Sequence, residues 1–335
     1  MKRANFVLIF VLSIVLVTVG IAEELKPVTL TWVAGGVGGG WYAQAGAIAA
    51  LINQKEPKIS IKVVPGGGVV NPVQVSSGDA DLGWGITFVD KMALLGVPPL
   101  YEKPNPKVRS LGGYFGYYHI HFVASADKGM TTVKELADMI KSGKSVRIAV
   151  PMKGTSDLPI VEKILGFYGV KLEDIKKAGG EYFHATYADM TSLYKDRHVD
   201  FVITHLSLPA SAITEMFISR KSTLLAVSDE CIDAMNKELG TVPRASGLCV
   251  IPSGTYQGQD TAVPAVVTAG ELLINADVPE IVAYTITKIL CENLQELWNV
   301  HPANKTFVPE NGAKNVAVPL HPGAEKYYRE AGYLK

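Results

Sequence analysis

The chain reads as two similar α/β lobes facing a shared cleft, and two observations predict it. One order of elements occurs twice: strand, loop turn, helix, strand, helix, acidic turn and strand over residues 28–86, and again over residues 146–204. The first copy closes with Gly78-Asp79-Ala80-Asp81 before Leu82–Ile86, and the second with Asp196-Arg197-His198-Val199-Asp200 before Phe201–Thr204. The other observation is the alternation of strands with helices, which gives a largely parallel sheet with right-handed crossovers. At 335 residues the chain accommodates two domains of ordinary size. Its 48% hydrophobic and 19% charged residues are the composition of a packed protein. A formal net charge of zero argues against a nucleic-acid-binding surface, which needs a basic excess.

In chain order, Lys2 and Arg3 precede the apolar stretch Phe6–Ile21, and Gly20 and Ala22 are small residues at the −3 and −1 positions of a cleavage site. This is the pattern of a secretory signal peptide over residues 1–22, cut after Ala22, which places the mature chain in the periplasm. No cysteine lies near that site to carry a lipid. Val28–Val33 is β-branched and aromatic, hence a strand. A helix from about Trp41 to Asn53 follows, with Ala45, Ile48, Ala49 and Ile52 on one face. Ile59–Val64 and Leu82–Ile86 are the next strands, with a short helix around Val70–Val75 between them. Tyr117–Ser125 is a strand that crosses into the second lobe, and Ser222–Ser228 is the expected return. Lobe I is thus expected over residues 23–122 and 229–335, and lobe II over 123–228. Thr132 with Glu135 forms a capping box, and a helix runs from about Asp157 to Tyr168. Asp277-Val278-Pro279-Glu280 opens one long helix to about Val300.

The turns carry the chemistry. Gly35-Gly36-Val37-Gly38-Gly39-Gly40 joins a strand to a helix but fits neither a dinucleotide fingerprint nor a phosphate-binding P-loop. It exposes backbone N–H groups at a helix N-terminus, where the macrodipole favours an anion, and missing side chains let a ligand approach closely. Gly66-Gly67-Gly68, next to Val69, repeats the arrangement, and so does Pro151–Ser156 in the second lobe, with Lys153, Gly154, Thr155 and Ser156. Open α/β sheets bind ligands at such strand ends, so the common element is an anion site, most simply for a carboxylate. Trp41, Tyr42 and Trp84 stand near these turns and suit either an aromatic cleft wall or the core; Thr87 follows the same strand as Trp84. His205 follows the third strand of the second lobe, which fits a cleft-facing role or a structural one. His119 and His121 alternate on a strand without a third metal ligand, so neither a metal nor a cofactor is expected. No nucleophile elbow or HExxH motif occurs, and no catalytic constellation is visible. Cys231, Cys249 and Cys291 are too widely spaced for a disulfide framework, and Cys291 reads as a core thiol.

Taken in order, these residues resemble the TAXI group of TRAP-transporter solute receptors. The resemblance spans nearly the whole mature chain. It rests on Gly38-Gly39-Gly40-Trp41-Tyr42, Gly66–Val69, Ser77–Gly83, Ile251-Pro252-Ser253-Gly254-Thr255-Tyr256 and, most specifically, Leu320-His321-Pro322-Gly323-Ala324-Glu325-Lys326-Tyr327-Tyr328-Arg329-Glu330-Ala331-Gly332. It implies a type II periplasmic-binding-protein fold, two lobes joined by a hinge around a ligand cleft, and no enzymatic activity. It implies delivery of a small organic anion to a TRAP membrane permease with fused small and large subunits, driven by an ion gradient. Ligands of the group are mostly glutamate, glutamine and dicarboxylates such as 2-oxoglutarate. The same fold also serves periplasmic sensing for a signalling receptor. Here Val37 and Val69 stand where the group often has hydroxyl residues, and Met152-Lys153-Gly154-Thr155 replaces Gly-Ser-Gly-Thr. Fewer hydroxyls and one added cation predict a carboxylate ligand without an obligatory ammonium.

Overall fold

The computed structural model describes residues 24–36 and 40–335; the expected signal peptide, with Gly38 and Gly39, lies outside them. The strands are β1 (Val28–Val33), β2 (Ile59–Val64), β3 (Leu82–Ile86), β4 (Val108–Ser125), β5 (Arg147–Pro151), β6 (Glu181–Ala185), β7 (Phe201–Leu206), β8 (Ser222–Leu224), β9 (Val250–Ile251), β10 (Val263–Pro264) and β11 (Val267–Asn275). Nine of them form one sheet in the order β2-β1-β3-β11-β4-β7-β5-β6, with β8 also on β4. β1 pairs in parallel with β2 and β3, and β5 in parallel with β6 and β7, as the repeat predicts. The two parallel groups are joined by antiparallel pairing, because β11 and β4 run between them.

β4 makes the fold two-lobed. Its first part pairs with β11, from Val108↔Asn275 to His119↔Val267, and its second part with β7, from His119↔Leu206 to Ala124↔Phe201. The change of partner at His119 is where the strand leaves lobe I for lobe II. The strand is irregular before that point. Its register against β11 shifts twice, and Tyr114 and Gly116 adopt φ of 64° and 101°. Thr306 holds this kink, since its hydroxyl donates to the Tyr114 carbonyl and accepts from the Gly116 amide.

The segment Ser222–Ser228, expected as the return, holds one short strand. β8 has only three residues and pairs with the end of β4. Helix α9 (Asp229–Leu239) then packs on helix α5 (Asp157–Phe167), and its Ile232 and Met235 share a core with Ile160 and Ile164. The Val266 carbonyl accepts from the Ile120 amide, and the chain continues into β11. β11 is buried along its whole length and carries no alternation that would mark it in the sequence.

The other helices are α1 (Gly40–Lys55), α2 (Asn71–Ser77), α3 (Thr87–Leu95), α4 (Val133–Lys141), α6 (Leu172–Lys177), α7 (Tyr187–Lys195), α8 (Ser211–Ser219), α10 (Glu280–Glu292), α11 (Leu294–Val300), α12 (Pro309–Gly312) and α13 (Pro322–Glu330). Thr132 and Glu135 form the expected capping box on α4. The long C-terminal helix is two: Asn293, at φ −119° and ψ 42°, breaks it, and its side chain donates back to the Ile289 carbonyl. Asp277 does not cap it, since α10 begins at Glu280 and Asp277 pairs with Lys107 on the surface. α13 carries the C-terminal signature and packs on α10. Gly323 leaves no room for a Cβ against the Glu280 carbonyl, and the Tyr328 hydroxyl donates to Leu111 O at 2.8 Å. Those residues are structural in lobe I. Cys231, Cys249 and Cys291 are buried free thiols.

Candidate functional site

A cavity of about 260 Å³ lies between the lobes at the C-terminal ends of their parallel strands. Lobe I contributes Gly35, Gly36, Gly40, Trp41, Gln44 and Gly66–Gly68; lobe II contributes Thr155, Ser156, Asp157, Tyr187 and His205–Ser207. Ile86, Tyr118, His301 and Ala303 complete the wall. The lobes touch across the rim. A Cβ placed on Gly68 would lie 2.5 Å from Ser156 Oγ, and one on Gly67 would lie 3.9 Å from the Gly154 carbonyl.

The lobe I wall is backbone and aromatic surface. Asn71 is fully buried and ties three strand ends together. Its Nδ2 donates to Ala34 O at 2.7 Å and to Trp84 O at 2.8 Å, and its Oδ1 accepts from the Gly67 amide at 2.8 Å. The Gly66 amide donates to Gly35 O, which leaves the Gly68 amide without a protein acceptor among the described residues. Trp41 Nε1 donates to the Tyr118 hydroxyl at 2.8 Å, and the two rings meet edge-on. Gln44 is 1% exposed. Its Nε2 donates to Asn304 Oδ1, as it must because Asn304 Nδ2 donates to Leu297 O, so Gln44 Oε1 is left a buried acceptor without a partner.

The lobe II wall is a side-chain network around Asp157. Its Oδ1 lies 3.0 Å from His205 Nδ1, and its Oδ2 accepts from the Tyr187 hydroxyl. With Nδ1 facing the carboxylate, Nε2 faces the hydroxyl of Thr268 on β11, at 2.6 Å. The network therefore joins the N-termini of α5 and α7 to β7 and to the crossing strand β11. Burial holds the phenols of Tyr118 and Tyr187 well above their usual range, with the Asp157 charge adding to the effect at Tyr187, so both stay neutral donors. Burial lowers the His301 pKa, and its Nδ1 accepts from the Ala303 amide. Among the described residues no lysine or arginine lines the cavity, and Asp157 is its one carboxylate. The Thr268–His205–Asp157 chain has the order of a nucleophile, base and orienting acid, but Thr268 is completely buried and no part of the cavity wall. Among the described residues no cluster of three or more His, Cys, Asp or Glu side chains is placed to hold a metal ion, and no helix is long and apolar enough to cross a membrane.

The sequence pattern of the NMT1-like family matches residues 33–332, nearly the whole described chain. The chain belongs to the NMT1-like family. Solved structures similar to this family member include MatC from Rhodopseudomonas palustris with bound malate, at 15% identity and a TM-score of 0.53 over 91% of this chain and 98% of that one. A TctC solute-binding protein from Polaromonas is 15% identical, with a TM-score of 0.51 over 82% and 87% of the two chains. PhnD1 from Prochlorococcus marinus in complex with methylphosphonate is 11% identical, with a TM-score of 0.51 over 93% and 100%. At these identities the likeness establishes the two-lobed binding-protein fold.

Of the site residues expected from sequence, this NMT1-like chain brings Gly40, Trp41, Gly67, Gly68, Thr155, Ser156 and His205 to the cavity. Gly154 stands at the rim and Lys153 on the exposed surface, and neither is a wall residue. Trp84 does not floor the cavity directly. It is fully buried one layer down, packed on Trp32 and Phe115, with Nε1 donating to Trp41 O. Tyr42 packs on the lobe I core; Val69 packs on the larger core, and its carbonyl accepts from the Tyr101 hydroxyl. Thr87 opens a different crevice. Sequence reading missed Asp157, Tyr187, Tyr118, Gln44 and His301. Asp157 resembles any first-turn acid, but the break after Thr155-Ser156 was the signal that its side chain stands at a strand end.

Proposed function

We propose that this protein is an extracytoplasmic receptor of the TAXI type, exported to the periplasm after loss of residues 1–22, that delivers a small organic anion to a TRAP membrane permease. The observation carrying the proposal is an interlobe cavity with glycine-loop backbone on one wall and the Asp157 network on the other. The lobes divide as residues 24–119 with 267–335, and 120–266, following the packing of α9 and the crossing at Val266. Closure about β4 and β11 fits the touching of Gly68 and Ser156.

The charge of the walls narrows the ligand. A ligand carboxylate has backbone amides, the Ser207 hydroxyl and the α1 N-terminus to meet it, because Lys153 is not a wall residue and the Tyr187 and Tyr118 hydroxyls already donate to Asp157 and Phe115. A second carboxylate would approach Asp157 and be repelled. The geometry thus favours a carboxylate whose far end donates a hydrogen bond: glutamine or glutamate ahead of succinate or 2-oxoglutarate. This departs from the expectation of a ligand without an obligatory ammonium, which rested on the fewer hydroxyls and on Lys153. Calorimetric titration of the mature chain with these four compounds tests it. Binding of 2-oxoglutarate or succinate with no response to glutamine or glutamate would remove the role given to Asp157. No binding by any carboxylate would remove the proposal.

A further inference from the structure

A second crevice, about 390 Å³ in volume, shares no residue with the first. It is bounded by Thr87 and Lys91 of α3 and by the segment Lys314–Ala317 on the lobe I side. On the lobe II side stands the end of α9 with the loop through Pro243, and Tyr114 of β4 and Ala269 of β11 lie between. Its width therefore depends on the angle between the lobes.

Lys91 and Lys314 are the only charged residues of its wall, and neither forms an ion pair among the described residues. Two further observations point to a ligand. Thr241 is 2% exposed, and its hydroxyl has no hydrogen-bond partner. Helix α3, nine residues long, begins at Thr87 after Ile86, which gives no side-chain cap to its first amides. A buried hydroxyl, an uncapped helix N-terminus and two ammonium groups are all donors. Two buried acids stand behind the wall: Asp90, in the first turn of α3, and Glu271, whose carboxylate already accepts from the Ala317 amide.

We propose that this crevice binds a small oxyanion between Lys91 and Lys314 of lobe I and the Thr241 hydroxyl of lobe II, and that its occupancy is coupled to closure of the main cavity. An anion that bridges the lobes favours one hinge angle. By linkage it changes the affinity of the cleft ligand by the factor by which that ligand changes its own. The inference does not depend on which solute the cleft takes.

The test is calorimetric titration of the mature chain with inorganic phosphate, sulfate and acetate at ionic strength held constant with sodium chloride. Wild type is compared with the double variant Lys91→Met/Lys314→Met, and with Thr241→Val. The expected result is saturable phosphate or sulfate binding that is at least about tenfold weaker in the double variant, the loss expected when charge-assisted contacts go. The Thr241→Val chain shows a smaller loss. The acetate arm tells a carboxylate site from one for tetrahedral oxyanions. Both lysines are exposed, so the double variant keeps its fold, and cleft-ligand titration of the same sample verifies this. Equal phosphate binding by wild type and the double variant overturns the proposal, as does the absence of saturable binding by all three anions.

Discussion

The two walls of the cavity start from the same strand–turn–helix unit and end as opposites. In lobe I the turns after β1 and β2 have shed their side chains. Gly66, Gly67 and Gly68 bring bare backbone to the surface, and the buried Asn71 takes up the loose strand ends. In lobe II the turn after β5 keeps its side chains, and the first turn of α5 offers Asp157, buttressed by Tyr187 and His205. One wall presents donors fixed in the main chain and the other an acceptor fixed by a network. On the function proposed above, a ligand between them would be oriented by that asymmetry, its carboxylate toward lobe I and its donor end toward lobe II. The lesson is that an internal repeat fixes where a site lies without fixing its chemistry. The glycine side offers backbone through what it lacks, and the Asp157 side offers an acceptor through what it binds.

The largest effect is expected under the lobe I wall. Trp84→Ala removes a fully buried indole that packs at 5.3 Å on Trp32 and 5.7 Å on Phe115, and it frees the Trp41 carbonyl. A large-to-small change of this kind costs about 3–5 kcal/mol of stability. Urea unfolding measures it; a loss under about 1 kcal/mol would mean that the aromatic layer does not support the wall.

The two regions also differ in which buried groups titrate. Beneath lobe II, burial lowers His119 to about 4 and His121 to about 3; the neutral His121 donates Nδ1–H to His119 O, and its Nε2 accepts from the Tyr256 hydroxyl. In lobe I, Asp90 and Glu271 are buried carboxylates, and burial raises Glu271 to about 7. The signs oppose. The histidines contribute stability that is fully present above their unfolded value near 6.5 and lost as pH falls through about 4. Glu271 contributes stability that is present below its unfolded value of 4.5 and lost as pH rises through about 7. Melting temperatures of wild type and Glu271→Gln across this range should diverge as pH rises, with the variant gaining on wild type. A constant difference would show that Glu271 has the same proton affinity folded and unfolded.

Asp157→Asn tests the acceptor wall. It keeps a side-chain oxygen for the Tyr187 hydroxyl and removes the charge. Loss of a charged hydrogen bond to the ligand weakens binding by about 1.5–3 kcal/mol. Unchanged affinity for glutamine and glutamate would shift the selectivity to the lobe I loops. Gly68→Ala tests the closure. Its methyl would collide with Ser156 Oγ, so affinity should fall by about 1–2 kcal/mol, and Ser156→Gly in the same chain should restore it. Failure of that rescue would mean that the contact does not limit closure.

The repeat made the parallel strands and the location of the cavity legible, because hydrophobic runs and glycine turns are local signals. Trp41 and Ser156, which line the cavity, belong to those turns. Strand β11 was not legible, because it is buried throughout and carries no alternation. Helix α9 looked like the start of a return because nothing local says which core takes Ile232 and Met235. Asp157 was missed on similar grounds. Its partners lie at Tyr187 and His205, so its role exists only once three elements are assembled. Trp84 was brought too close, because strand position places a ring at a sheet end without saying that Trp41 lies above it.

The smallest effect is expected at Thr155. Its hydroxyl donates to Met152 O at 2.7 Å, which closes the turn, so it has lone pairs but no hydrogen to offer a ligand. A carboxylate gains nothing from such a group. Thr155→Ala should therefore weaken ligand binding by less than about 1 kcal/mol, the ordinary net value of one neutral hydrogen bond. Thr155→Ser, which keeps the hydroxyl, should match wild type. The comparison of walls is sharpened if Thr155→Ala stays this mild while Asp157→Asn does not. A loss of about tenfold or more from Thr155→Ala alone would break it, because the lobe II turn would then act through its hydroxyl on the ligand as strongly as the carboxylate behind it.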